Sequence, residues 1–175
     1  MADDLATLLT SVGERPPYVL VGHSLGGVYV RIFADRYRHD IAGVVLDDAF
    51  NPDLFGAQVA AAPEDLRDDW LADMDASFRL IEAIEGIDWA GTAEELANAS
   101  VDGLALEIVV ASGRDPRLTD EQAAAVETAW RASLDGLSSR GRVTVADGAG
   151  HFIHLTRPEL VLDAIHRLVE SARRE

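Results

Sequence analysis

The sequence predicts an α/β fold, a mostly parallel sheet with flanking helices and a helical insertion between two of its strands. Three observations predict it. Four short apolar runs, 18–21, 41–46, 104–111 and 143–146, show little polar alternation, as strands buried on both faces do. The stretches between them carry apolar residues at helical spacing. Strand and helix then alternate along the chain, which calls for a layered sheet with crossover helices.

The first run follows Pro16-Pro17 and stops at Gly22, and a helix is expected over Leu25 to Tyr37 before the second run. From about Asn51 to Asp102 no strand-like run occurs. Leu66, Trp70, Met74, Phe78 and Ile81 mark one side of a long helix there, and Thr92 with Glu95 marks the cap of a shorter one. That stretch exceeds what a crossover needs and reads as a helical lid over one end of the sheet. Thr119 with Gln122 and Thr156 with Glu159 fit the capping box, in which two side chains satisfy free backbone N–H groups reciprocally. After Thr119, the residues Val126, Trp130, Leu134 and Leu137 form an apolar stripe; after Thr156, Val161, Ile165 and Leu168 form another.

Composition narrows the function classes. The chain has 175 residues, 48% hydrophobic and 26% charged, which suits one soluble domain. Its 15 basic residues, all arginine, face 31 acidic ones, for a net charge of −16. That field repels phosphate backbones and anionic lipid, so neither a nucleic acid nor a membrane surface is expected as a partner. Cysteine is absent, which removes disulfides, thiolate metal ligands and thiol catalysis. No apolar run approaches the ~20 residues that span a bilayer. Two acids within Met1 to Asp4 stand where a secretory signal carries bases, and a cytoplasmic protein is expected.

The residues that carry chemistry start at Gly22-His23-Ser24-Leu25-Gly26-Gly27, a G-x-S-x-G between a strand and a helix. Such a turn is so tight that a Cβ at Gly22 or Gly26 is expected to crowd it, and it holds the serine in a strained conformation. The following helix points its N-terminus at Ser24, so the Leu25 N–H is placed to hold a developing oxyanion. A nucleophilic serine needs a base, and the base an orienting acid. Among five histidines, His151 follows the fourth run in Asp147-Gly148-Ala149-Gly150-His151, where glycines let the loop turn back toward the sheet. His154 competes from a place nearer the last helix, His39 and His166 fit solvated positions, and His23 is expected to pack beneath the lid. For the acid, Asp115 follows the third run at the carboxyl end of its strand, where α/β sheets gather ligands. Asp48, with Asp47 at the end of the second run, is the alternative on the same edge. The order Ser24, Asp115, His151 is the order of α/β-hydrolases and differs from that of chymotrypsin-like and subtilisin-like enzymes.

Along nearly its whole length the chain resembles the α/β-hydrolase superfamily, more narrowly bacterial serine hydrolases with G-H-S-L-G-G. The resemblance rests on Val21 to Gly27, Leu46-Asp47-Asp48-Ala49, Gly113-Arg114-Asp115, Gly148-Ala149-Gly150-His151-Phe152 and Pro158-Glu159-Leu160. It implies Ser24 as nucleophile, His151 as base and Asp115 as acid. Many relatives have one more residue between that glycine and the acid, which keeps Asp48 open. The implied function is hydrolysis of a small-molecule ester, thioester or amide through an acyl-enzyme, with no cofactor and no metal. In the family several strands, and a loop often beginning His-Gly that supplies a second oxyanion donor, precede the nucleophile strand. Here only Ala2 to Gly13, read as a helix, precedes Tyr18. The chain is therefore expected to be a single incomplete domain over 1–175, the carboxyl-terminal part of that fold with its lid at about 51–102. An apolar edge at Tyr18 to Gly22 invites another strand, so a homodimer or hetero-complex through it is expected. The alternative to an enzyme is a truncated, weakly active or inactive fragment that associates through that edge.

Overall fold

The structure is a computed structural model and describes residues 2–112 and 116–174, apart from the side chains of residues 53, 54, 130 and 135. Four strands, β1 (Tyr18–His23), β2 (Ile41–Asp47), β3 (Leu106–Ala111) and β4 (Gly141–Ala146), form a parallel sheet in the order β1-β2-β3-β4. Each of the four apolar runs holds a strand, the third only from Leu106 onward. β1 and β2 reach His23 and Asp47, which brings polar side chains to the carboxyl ends of the two strands.

The period of two along β2 decides what covers each face. A Cβ on Gly27 would meet Ala49 and the Leu46 side chain, whereas one on Gly43 would meet Leu168. Even-numbered Leu46 thus faces helix α2 (Gly26–Arg36), and odd-numbered Gly43 and Val45 face helix α8 (Pro158–Ala172). Val45, Val109, Ile153, Val161, Ala164 and Leu168 pack together on the second face. Each large aliphatic side chain there contributes about 1.5–3 kcal/mol by leaving water. At the rim of that core, Arg167 on α8 donates two hydrogen bonds to the buried Glu107 carboxylate of β3, at 2.9 and 2.7 Å. The bond to Glu107 holds the Arg167 guanidinium above its ordinary pKa. Helix α1 (Ala2–Ser11) precedes β1 and packs against α2.

Residues 2–51, 99–112 and 134–174 make up the described part of this sheet unit. The described part of a second compact unit comprises 52–98 and 116–133. It holds α3 (Pro52–Ala61), α4 (Glu64–Glu85), α5 (Trp89–Asn98) and most of α6 (Asp120–Asp135). In α4 the expected stripe is the protected face: Leu66 is buried, Trp70, Met74, Phe78 and Ile81 are half-buried, and the rest of the helix is exposed. The helix ends at Gly86, whose φ of 66° is the left-handed conformation that closes a helix without a Cβ clash. Phe78 stacks on Trp89 at 4.1 Å between ring centroids.

Two expected caps are replaced by others. α5 starts at Trp89, before Thr92, and it is Asp88 that accepts the Gly91 N–H at 3.0 Å. α8 starts at Pro158, whose fixed φ and missing N–H suit a first helical position, so Arg157 rather than Thr156 stands at the cap. Thr156 closes the short α7 (Ile153–Thr156) and donates to the Phe152 carbonyl, while Glu159 takes the Arg157 guanidinium at 2.6 Å. The third box is present: Gln122 accepts the Thr119 N–H at 2.9 Å and Thr119 accepts the Gln122 N–H at 3.3 Å. Leu137, expected on the α6 stripe, lies beyond the end of the helix.

Candidate active site

The chain turns sharply after β1. Ser24 has φ 52°, a left-handed conformation that costs a non-glycine residue on the order of 1–3 kcal/mol and is held here by its neighbours. Its N–H donates to the Asp47 carbonyl at 3.2 Å, and its carbonyl accepts the N–H groups of Gly27 at 3.0 Å and Phe50 at 2.9 Å. The crowding at this elbow falls on Gly22 and Gly27, not on Gly26 as the motif alone suggested. A Cβ at Gly22 would stand 2.6 Å from the Gly26 carbonyl oxygen, and one at Gly27 would overlap Ala49, whereas Gly26 faces open space. The reason is that Gly26 opens helix α2 outward, while Gly27 lies on the helix face pressed against the β2 end. Leu25 is the N-cap of α2, and its N–H has no backbone acceptor among the described residues. That donor is left for a ligand oxygen.

Asp47 and Asp48 end β2 side by side and take different histidines. Asp47 keeps the strand alternation, so its carboxylate lies on the face of Val45, where α7 and α8 lie. There Oδ2 accepts a hydrogen bond from Nδ1 of His154 on α7, at 2.6 Å. Asp48 leaves the strand with φ 40°. Its N–H donates to the Val109 carbonyl at 2.8 Å, and its Oδ1 accepts the Ala111 N–H at 2.9 Å, which pins the carboxylate between the β2 and β3 ends. The other oxygen, Oδ2, accepts from His151 Nδ1 at 2.7 Å. A carboxylate only accepts, so the His151 hydrogen sits on Nδ1 and the Nε2 lone pair is left for a donor.

His151 reaches this position because the chain reverses after β4. Gly148 has φ 71°, its N–H donates to Ser112 Oγ at 2.9 Å, and the Ala149 N–H donates to the Ala146 carbonyl at 3.1 Å. His23 then anchors the loop. Its Nε2 donates to the His151 carbonyl at 2.9 Å, and its ring centroid lies 4.6 Å from that of His151 and 4.5 Å from that of His154. The structure sets His23 against His151, Phe152 and His154, because the last residue of β1 shares the sheet end to which the β4 loop returns.

The structure therefore gathers Ser24, Leu25, Asp48 and His151 at the carboxyl ends of β1, β2 and β4. The Ser24 hydroxyl makes no hydrogen bond among the described residues, so the serine–histidine bond is not formed in this arrangement. Asp115 lies outside the described residues. His39 and His166 are exposed, as expected. The residue that sequence reasoning undervalued is Asp47, whose signal was the acidic pair at a strand end.

Comparison with known proteins gives the family and the fold. The model of the alpha/beta hydrolase family matches residues 1–164. The chain belongs to that family. Over 166 residues it is 28% identical to the protein YqjL of Bacillus subtilis, a match that covers 93% of this chain and 61% of the relative. The chain thus spans about three fifths of that relative's length. Among solved structures, an esterase from Thermogutta terrifontis is 24% identical with a TM-score of 0.50, and the match covers 98% of this chain and 71% of the esterase. An epoxide hydrolase from Bacillus megaterium is 14% identical with a TM-score of 0.54, the match covering 97% and 74%. These likenesses establish the fold. Within the described residues no helix is long and apolar enough to cross a membrane.

Proposed function

We propose that this member of the alpha/beta hydrolase family is a serine hydrolase that cleaves a small-molecule ester, thioester or amide through an acyl-enzyme. Ser24 is the nucleophile, His151 the base and Asp48 the acid. The observation that carries the reading is the 2.7 Å bond between His151 Nδ1 and Asp48, formed beside a serine held at φ 52°. Ser24 Oγ attacks the carbonyl carbon and gives its proton to His151 Nε2. The Leu25 N–H holds the oxyanion, and Asp48 stabilises the imidazolium that forms. His151 then protonates the leaving group, and a water molecule activated by the same Nε2 releases the acid. Position 24 carries a serine, which distinguishes this mechanism from those with an aspartate nucleophile.

Labelling with a fluorophosphonate tests the reading. Wild-type protein is expected to become covalently labelled and Ser24→Ala to stay unlabelled. A folded wild-type protein that takes no label overturns it. A second reading draws on the edge of the sheet. β1 pairs only with β2 among the described residues, and Val21 is 44% exposed, which favours association of a weakly active chain through Tyr18–Gly22. Light scattering across a concentration series, read beside the labelling, separates the two: association without labelling supports the second.

A further inference from the structure

Beside Asp48 and His151 lies a group that the hydrolytic mechanism does not use. His23 at the end of β1, Asp47 at the end of β2 and His154 on α7 each turn a ligating atom to one spot, all within 4.8 Å of one another. Asp47 is 2% exposed, and its Oδ1 is buried with no hydrogen-bond partner among the described residues. A buried carboxylate oxygen without a donor has lost its hydration with nothing in return, and the loss is larger when the group is charged. A single histidine on Oδ2 does not satisfy it. We propose that His23, Asp47 and His154 form a binding site for a divalent transition-metal cation of the zinc class.

Three observations carry this. The donor set, two imidazoles and one carboxylate, is the kind that such cations choose, whereas calcium and magnesium prefer all-oxygen sites. The three ligands come from three elements of the same unit, held by the sheet and by the core under α7 and α8, so their backbones are placed before any cation binds. The outer contacts also suit a metal. His23 donates Nε2–H to the His151 carbonyl, which fixes that ring's orientation and leaves Nδ1 as its lone pair, the arrangement in which a backbone carbonyl orients a ligating imidazole. His154 Nδ1 and Asp47 Oδ2 share a hydrogen at 2.6 Å. The cation takes the place of that hydrogen, which passes to solvent as a proton; it binds the carboxylate through both oxygens, so that Oδ1 gains a partner, and His154 Nδ1 and Oδ2 open to the spacing of about 3.4 Å that neighbouring ligands of a zinc centre have. His154 is 36% exposed, which gives the cation a path in and a place for water as the fourth ligand.

Zinc chloride titrated into chelator-treated protein, read by calorimetry and by zinc retained after dialysis, tests the site without any substrate. The hydrolase reading can fail and this result stand, or the reverse. One zinc per chain is expected, with affinity lowered by about 100-fold in His154→Gln and in His23→Gln and unchanged in His166→Gln, an exposed histidine elsewhere on α8. Asp47→Asn should lose zinc too; where it does not fold, the two histidine variants, checked for folding by circular dichroism, decide. Absence of zinc binding by folded wild-type protein overturns the proposal. So does binding that His154→Gln and His23→Gln leave unchanged.

Discussion

Asp47 and Asp48 are neighbours with the same chemistry, yet the structure uses them in opposite ways. Asp47 completes a strand, is buried, and grips His154 while one of its oxygens lacks a partner among the described residues. Asp48 has left the strand, and is fixed by a bond to the β3 end before it takes His151. What separates them is the backbone. A strand sends successive side chains to opposite faces, and a positive φ at the second of them re-aims the carboxylate. Two adjacent residues thus hold two different imidazoles, each with its ring centroid within 4.6 Å of that of His23.

The comparison can be broken most sharply by rate. With an activated ester as substrate, Asp48→Asn is expected to lower kcat by about 10⁴-fold, because the amide favours the wrong imidazole tautomer. Asp115→Asn is expected to change it by less than about tenfold, and the reverse pattern would transfer the acid's role to Asp115. Both follow from steady-state kinetics on proteins of equal circular dichroism.

The next effect joins rate to packing. A Cβ at position 27 overlaps Ala49, the residue after Asp48, so Gly27→Ala is expected to cost about 2–3 kcal/mol in urea unfolding and to displace the Asp48 turn. Gly26→Ala, into open space, should cost well under 1 kcal/mol. Equal losses at the two positions would refute the placement of the elbow.

Asp47→Asn removes a charge-assisted bond from a buried site and is expected to cost about 2 kcal/mol, read as a lower urea midpoint. A third carboxylate supplies the smallest effect and a control. Asp102 accepts the Ser139 N–H and the Gly103 N–H, and these bonds hold its pKa below the ordinary 3.8. A lowered pKa in the folded state adds stability above pH 3.8 and loses it as pH falls through the folded value. Asp102→Asn should therefore melt slightly lower than wild type at neutral pH, and the gap should narrow as the pH falls below 3.8.

Much of this was legible in the chain. The four apolar runs hold strands because parallel strands covered on both faces need continuous apolar side chains. The α4 stripe emerged because its spacing matches the helical period. The Thr119 and Gln122 box formed as read, since both partners are local. Thr156 and Glu159 did not form one, because Pro158 starts α8 one residue later than the pattern implied. Gly26 and Gly27 were indistinguishable in sequence, since only the packed β2 end shows which of them has no room.

By itself, then, the sequence determined the order of strands and helices, the serine at the elbow and the histidine after β4, because each depends on residues close along the chain. The tertiary structure alone decided which histidine meets which aspartate. The partners of Asp47 and Asp48 lie more than a hundred residues away, at 107 and 103 positions along the chain. Strand parity, a left-handed φ and the return of the β4 loop select them, and none of these is written in a local pattern.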